Sequence, residues 1–414
     1  MSFLSRRALL PLAVSALSLM APRACAQQSP APLSLDSAVA IALRVSPAAR
    51  QASELAQEQA ALRRASFSLI NPGLIVENPT GGFYTIGGQQ TFEFPTVYTR
   101  QARLARAQVS LAQQGLLASR NAVLRDARLA YLDLQVAEAR LRQLQTQDSL
   151  LRQLAATSAR LFTAGEVNAL QRISTEAESR QAANRVAQAE ADRRAAQRRL
   201  ALLLGRPGPP ASLTTATDLR RPEAARLADT LQLAALEADS SAIARNPDVL
   251  VAADLVQVSD LSRRLTRARS LPGITIGYLN QGPRETPIGA RLQGGLTLPL
   301  YFWQYRAQNR AADARLQAAR AGQAATALST RRELTQAVAD ARKFASSVSY
   351  YARTGLPQAS TIATTAQRLF AAGEVSYYLL IQSLQQAAQI RADYLDAVRG
   401  YRQALIQLEF LQGK

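Results

Sequence analysis

Apolar residues recur along this chain with two different periods, and the switches between them mark out its elements. Val109, Leu116, Val123, Ala130, Ala137, Leu144 and Leu151 return every seventh position, flanked first by Leu117, Leu124 and Tyr131 and later by Leu134 and Leu141. A near-heptad stripe that drifts in this way predicts a helix packed along a seam against other helices. The pattern predicts helical runs over about 97–155 and 157–204, and again over about 302–354 and 358–411. At about 1.5 Å per residue, a run of some 55 residues extends roughly 80 Å, too long to hide in a compact domain of this mass. The other period is two. Ile274, Ile276 and Tyr278 alternate with Thr275, Gly277 and Leu279, and Leu292, Leu296, Leu298 and Leu300 alternate with Arg291, Gln293, Gly295 and Thr297. Gly282-Pro283 and Pro287 lie between the two stretches. Each is about 9–11 residues long, enough to cross a bilayer as a tilted strand. An earlier pair is weaker: Leu74-Ile75-Val76, then Asn78-Pro79-Thr80-Gly81-Gly82, then a return strand over about Gly88–Phe94.

The two pairs belong to an internal duplication. RLFTAGEV over Arg160–Val167 matches RLFAAGEV over Arg368–Val375 at seven of eight positions, 208 residues apart. Ser46-Pro47 matches Asn246-Pro247 and Asn71-Pro72-Gly73 matches Leu271-Pro272-Gly273 at an offset of 200, while Pro95 matches Pro299 and Arg106 matches Arg310 at 204. Landmarks in one order with a slowly growing offset indicate two copies of one unit separated by small insertions. We read 1–26 as a leader, 27–204 as the first repeat, 205–227 as a linker and 228–414 as the second repeat. Each repeat opens with a helical segment, about 34–68 and 228–268, with Ser34 as a plausible N-cap of the first. A β-hairpin follows (about 73–95 and 272–300), then a long helical hairpin (97–204 and 302–411). The linker holds Gly205, Pro207, Gly208, Pro209, Pro210 and Pro222, so it is not one regular helix.

Composition narrows the chemistry. The 414 residues are 48% hydrophobic but only 6% aromatic, with alanine abundant, which suits tightly packed helices. The formal charge is +19, from 49 basic and 30 acidic residues, and the only lysines are Lys343 and Lys414. The arginines are spread along helices among acids and glutamines, as on solvated faces, and point to no nucleic-acid partner. There is no histidine, and Cys25 is the single cysteine. That excludes His- or Cys-based catalysis and His/Cys metal sites but leaves carboxylate-only chemistry open. No catalytic constellation appears in the sequence, so we expect no enzyme activity, no metal and no cofactor. Arg6, Arg7, the apolar run Ala8–Met20 and Ala24-Cys25-Ala26 have the form of an export leader cleaved near Gln27, which lowers the charge to +16. Lipidation of Cys25 is the alternative, disfavoured by the approach Pro22-Arg23-Ala24. No later stretch reaches about 18 apolar residues, the length of a spanning helix.

Two hairpins supply four strands. A membrane barrel needs about eight at least, and an open edge is not tolerated in lipid. Entry of the hairpins into a membrane therefore requires several chains to pool them around one lumen.

The duplicated order, Ser34-Leu35-Asp36 opening the first helix, Phe94-Pro95 ending the first hairpin and the paired RLF-x-AGEV segments resemble the TolC family of outer-membrane efflux proteins, in particular the branch that includes the cation-efflux channel CzcC. The resemblance spans the mature chain. It implies a mainly α fold with a membrane β-barrel part, built as a homotrimer: a twelve-stranded barrel shared by three chains, in outer-membrane lipid, above a periplasmic α-barrel. It implies the channel of a tripartite system, passing small solutes (metal cations or drugs) from an inner-membrane pump of the RND type. It also implies that the two AGEV segments form the periplasmic tip, where Arg160, Phe162, Gly165, Glu166, Arg368, Phe370, Gly373 and Glu374 meet a periplasmic adaptor (membrane fusion) protein. The family glycine is often preceded by valine and followed by leucine, whereas here alanine and glutamate flank it. Aspartates that narrow the entrance in some members have no counterpart in Tyr377–Gln382, leaving Tyr377, Tyr378 and Leu379 as candidates for an apolar constriction. Ile274, Ile276, Tyr278, Leu296 and Leu298 are the lipid-facing candidates. The rival reading is a periplasmic coiled-coil adaptor or scaffold, which leaves the duplicated hairpins unexplained.

Overall fold

The computed structural model describes residues 32–66, 69–77, 83–206, 214–215, 219, 240–283 and 289–413. The leader with its cleavage site at Cys25, and most of the linker, lie outside the described residues.

The chain runs α1 (Leu35–Val45), α2 (Pro47–Arg64), β1 (Gly73–Glu77), β2 (Phe83–Phe92), α3 (Pro95–Thr163) and α4 (Ala169–Leu203). The second half runs α5 (Ser240–Arg245), α6 (Pro247–Ala268), β3 (Gly273–Pro283), β4 (Gly289–Thr297), α7 (Phe302–Tyr350), a π turn (Tyr351–Gly355), α8 (Leu356–Ala371) and α9 (Tyr377–Leu411). The helical segment expected at 34–68 is split at Pro47. Proline lacks an N–H and forces the preceding residue out of helical conformation, so Ser46 lies at ψ 121° and its side chain caps α2. Asn246 before Pro247 does the same for α6 at ψ 129°.

The four strands form one antiparallel sheet in the order β1-β2-β3-β4. β2 begins earlier than the expected Gly88, because it pairs with β3 from Phe83↔Pro283 to Phe92↔Ile274. Its apolar alternation fails at Gly87-Gly88, which concealed its first half. Each strand leads into or out of one helix, and those helices lie side by side in the same order as the strands: α2 on α3, α3 on α6, α6 on α7. Further from the sheet α4 and α9 take over as the neighbours of α3.

The long helices outrun the expected boundaries. α3 continues past residue 155 to Thr163, 69 residues or about 100 Å. The break expected near Gly355-Leu356-Pro357 is not a break. A π turn over Tyr351–Gly355 carries the rod into α8, and the true reversal is at Gly373. A wide i→i+5 turn absorbs the missing Pro357 N–H and the crowding of its ring on the preceding turn. Buried Gly355 packs under Tyr351 and Ile390 there.

Small residues set the spacing. On α4, Thr175, Ala182 and Ala189 recur every seventh position and are buried, allowing close approach to α3. Ala38 and Ala42 of α1 pack on Ala127, Ala130, Tyr131 and Leu134 of α3 and Leu200, Ala201 and Leu204 of α4. The largest core joins the repeats: Leu132, Val136 and Ala139 of α3 meet Ala345 and Val348 of α7 and Tyr394, Val398 and Tyr401 of α9. Leu219 of the linker enters this core, and Thr215 donates from its backbone and hydroxyl to Glu138. The linker is therefore held to the helices at Thr215 and Leu219.

Candidate functional site

The site residues expected from the sequence fall in two regions: the helix reversals far from the sheet, and the sheet itself.

The reversals are the same motif built twice. Gly165 N–H donates to Phe162 O (3.0 Å) and Glu166 N–H to Leu161 O (2.9 Å); Gly373 N–H donates to Phe370 O (3.0 Å) and Glu374 N–H to Leu369 O (2.9 Å). This is the Schellman pattern, which satisfies the last helical carbonyls when the residue after the cap is left-handed. Gly165 and Gly373 supply that residue, at φ +77° and +76°. A side chain there would meet open space, so the requirement is conformational and not steric. The next helices start on side-chain caps: Asn168 Oδ1 accepts from Gln171 N–H (2.8 Å), and Ser376 Oγ from Leu379 N–H (3.3 Å). Each motif is thus one residue longer than the matched octapeptide, and these caps, legible as a polar residue after AGEV in both copies, were missed in the sequence.

The tip side chains divide into packed and presented ones. Phe162 lies beneath the Arg172 guanidinium, 5.1 Å from the ring centroid, and Phe370 meets Tyr377 edge-on at 6.5 Å. Arg160 donates to Thr157 Oγ1 (3.3 Å) on its own helix. Arg368, Glu166 and Glu374 are exposed, and among the described residues the two glutamates have no ion-pair partner. The three constriction candidates separate. Tyr377 is partly buried beside Leu151, Ala182 and Ile381, between the two helical hairpins, whereas Tyr378 (75% exposed) and Leu379 project from the surface of this chain. Burial is the main cause that pushes the Tyr377 hydroxyl above the usual tyrosine range; Glu178 adds to it and the nearby Thr175 hydroxyl opposes it. Gln385 Nε2 donates to Glu178 Oε2 (3.2 Å) across the same seam, as Gln143 Nε2 does to Ala388 O (2.9 Å) between α3 and α9. Thr175, Glu178 and Gln385 gave no signal in the sequence, since only the packing of distant helices unites them.

The sheet has two unlike faces. Cross-strand partners share a face, so the register groups Leu74, Val76, Ile86, Phe92, Ile274, Ile276, Tyr278, Leu292 and Leu296 on one side, together with Gln90 and Asn280. The other side carries Thr85, Gln89, Thr91, Thr275, Gln293 and Thr297, with Ile75 and Leu279. The apolar side faces outwards: Leu74 is 78% and Leu292 86% exposed. Ile274, Ile276, Tyr278 and Leu296 share it, and Leu298 lies just beyond the end of β4, also exposed. β1 and β4 each keep one edge unpaired by any described strand. Among the described residues no cluster of three or more His, Cys, Asp or Glu could hold a metal ion, and no helix is long and apolar enough to cross a membrane.

Residues 239–414 match the model of the family described as outer membrane efflux protein. Among solved structures, the chain is similar to CusC, in a study of conformational changes accompanying folding and transmembrane channel formation (TM-score 0.76, 17% identity, 93% of each chain covered). It is similar to the outer membrane protein VceC from Vibrio cholerae (TM-score 0.76, 14% identity, 92% of this chain and 96% of that one). It is also similar to the CmeC outer membrane channel of Campylobacter jejuni (TM-score 0.75, 14% identity, 92% and 85%). No curated protein matches the sequence.

Proposed function

We propose, taking as premise that the chain belongs to the outer membrane efflux protein family through residues 239–414 and has the fold of the outer membrane channels throughout, that three copies form a passive export duct. The observation that carries this reading is the four-stranded sheet, mainly apolar and exposed on one face, mainly polar on the other, with neither outer edge paired by any described strand. Open edges in lipid leave backbone groups unsatisfied at several kcal/mol each. Joining β4 of one copy to β1 of the next removes every edge, and three copies give twelve strands. The apolar face then meets lipid and the threonine- and glutamine-bearing face lines a wet lumen. The helices α2, α3, α6 and α7 continue the wall as a tunnel on the periplasmic side.

The duct does no chemistry. It selects by width, lining and gating, while energy comes from an inner-membrane pump reached through a periplasmic adaptor. The paired tips are the docking point in this reading: two like turns per chain give six quasi-equivalent turns per trimer, each presenting Glu166 or Glu374 with Arg160 or Arg368 nearby. Tyr378 and Leu379 supply an apolar narrowing just inside them. The cargo is a class of small solute, metal cation or drug, chosen upstream.

The test is to fractionate cells expressing the protein, purify the particle from outer membranes and measure single-channel conductance in planar bilayers. A trimer with an axial cavity and discrete conductance is expected; a soluble periplasmic monomer without sheet content would overturn the reading in favour of a scaffold. Deleting the gene and screening metals, detergents, dyes and antibiotics identifies the cargo.

A further inference from the structure

Directly after β4 the chain exposes three consecutive aromatic residues, Tyr301, Phe302 and Trp303, at 63%, 59% and 61%. They pack on one another edge-to-face, Tyr301 to Trp303 at 5.4 Å and Phe302 to Trp303 at 5.3 Å between centroids. No buried core cluster among the described residues includes them. The corresponding turn of the first repeat is treated in the opposite way. Val97 and Tyr98 are buried, Val97 against Leu265 and Ala268 of α6, and the Tyr98 hydroxyl accepts from Glu93 N–H at 3.0 Å. The duplication therefore does not require an exposed aromatic cluster here; the second repeat alone carries one.

The charges around the cluster are also one-sided. Arg306 and Arg310 follow Phe302 at four-residue intervals on α7, so all three occupy one helix face, and the Arg306 guanidinium lies 5.6 Å from the Phe302 ring centroid. Neither arginine has an acidic partner among the described residues, although Arg263 and Arg267 next door on α6 are both paired with Asp313. Amphipathic rings beside unpaired guanidinium groups, at the end of an apolar strand face, have the chemistry of a membrane–water boundary. At such a boundary aromatic rings favour headgroup depth, arginine stems lie along apolar surface and their cations reach phosphate.

We propose that Tyr301, Phe302, Trp303, Arg306 and Arg310 form an interfacial anchor that binds anionic phospholipid headgroups where the barrel meets the periplasm. This rests on the channel reading, because the cluster lies at the edge of the lipid only if the sheet spans it. Two observations identify the occupant: continuity with the exposed apolar face of β4, and guanidinium charge that no carboxylate among the described residues pairs with.

Trp303 is the only tryptophan of the chain, so its fluorescence reports on this site alone. The full-length trimer is reconstituted in vesicles of phosphatidylcholine and phosphatidylglycerol, with bromine placed at shallow or deep acyl positions of one lipid at a time. The expected result is blue-shifted emission, quenched more by shallow than by deep bromines and weakly by aqueous acrylamide. Brominated phosphatidylglycerol should quench better than brominated phosphatidylcholine at equal mole fraction, with a relative binding constant of roughly fivefold per engaged arginine. That preference should fall towards unity in the Arg306→Gln/Arg310→Gln double variant, while trimers and conductance persist. Quenching by acrylamide alone would place Trp303 in the lumen, and quenching by neither agent would place it between copies; both overturn the anchor. Equal quenching by the two lipids overturns the anionic preference. Conducting trimers with unquenched Trp303 sink this inference and leave the channel reading intact, whereas loss of trimer and conductance sinks that reading first.

Discussion

Gly165 and Gly373 occupy a conformation that costs an L-residue about 1–2 kcal/mol, in turns where nothing crowds them. Replacing either with valine should leave the trimer intact and fray the tip. Exchange of the Glu166 or Glu374 amide, held at 2.9 Å to the helix carbonyl, should quicken by about tenfold. In the double variant, efflux measured as tolerance of a toxic cargo should fall; unchanged tolerance would remove the tips from the docking role. Tyr377 offers a second test at this scale. Its hydroxyl is buried without a hydrogen bond of good geometry, so Tyr377→Phe should change stability by less than about 1 kcal/mol. Tyr377→Ala, which empties a space between the hairpins, should cost about 3–5 kcal/mol by analogy with large-to-small core substitutions. Thermal unfolding of the purified particle distinguishes the two.

At the level of elements, the repeats share a plan but differ in how their pieces are joined. In the first, the end of α4 abuts the α1–α2 joint, with Gly205 against Val45, and Ser46 contributes a long cap to Ala49 N–H at 3.4 Å. In the second, buried Asn246 does two jobs. Its Oδ1 accepts from the Asp248 and Val249 amides, at 2.9 and 3.2 Å, and its Nδ2 donates to Leu411 O at 2.9 Å. That side chain caps α6 and ties it to the end of α9. Asn246→Ala should cost about 2–4 kcal/mol, a lost cap plus an orphaned carbonyl, whereas Ser46→Ala should cost less than about 1 kcal/mol. Denaturant midpoints of the two variants, compared at equal slope, check the difference; equal losses would contradict the bridging role of Asn246.

The whole molecule is defined by the surface it leaves uncovered. An apolar sheet face with open edges is a liability for a lone chain and a wall for a closed assembly. Leu296→Arg with Leu298→Arg should impair insertion, by about 2–4 kcal/mol for each arginine that reaches mid-bilayer depth, and should shift the protein from the outer-membrane fraction to aggregates or degradation products. Polar-face substitutions such as Gln293→Ala should insert normally and change conductance instead. Normal insertion of the double arginine variant would mean that this face does not meet lipid.

The sequence by itself determined the features with short-range causes. Period-seven alanines and leucines demanded rods, period-two leucines and isoleucines demanded strands, and paired landmarks demanded two units, because side-chain direction follows backbone geometry within a few residues. The apolar face of β3 and β4 was readable for the same reason, whereas periodicity put the helix breaks near 156 and 356 and only the family resemblance pointed to Gly165 and Gly373 as the turns. Tertiary structure alone decided the rest. Pro357 reads as a helix stop, but packing of Gly355 beneath Tyr351 and Ile390 stabilises a π turn instead. β2 was half hidden by Gly87-Gly88, and its length comes from ten pairings with β3, nearly two hundred residues away. Asn246 meeting Leu411, Tyr377 meeting the first helical hairpin, and the bare aromatics at Tyr301–Trp303 all depend on which helix lies beside which. Such contacts arise from shape and burial across the whole chain, so they leave no periodic trace in the residues that make them.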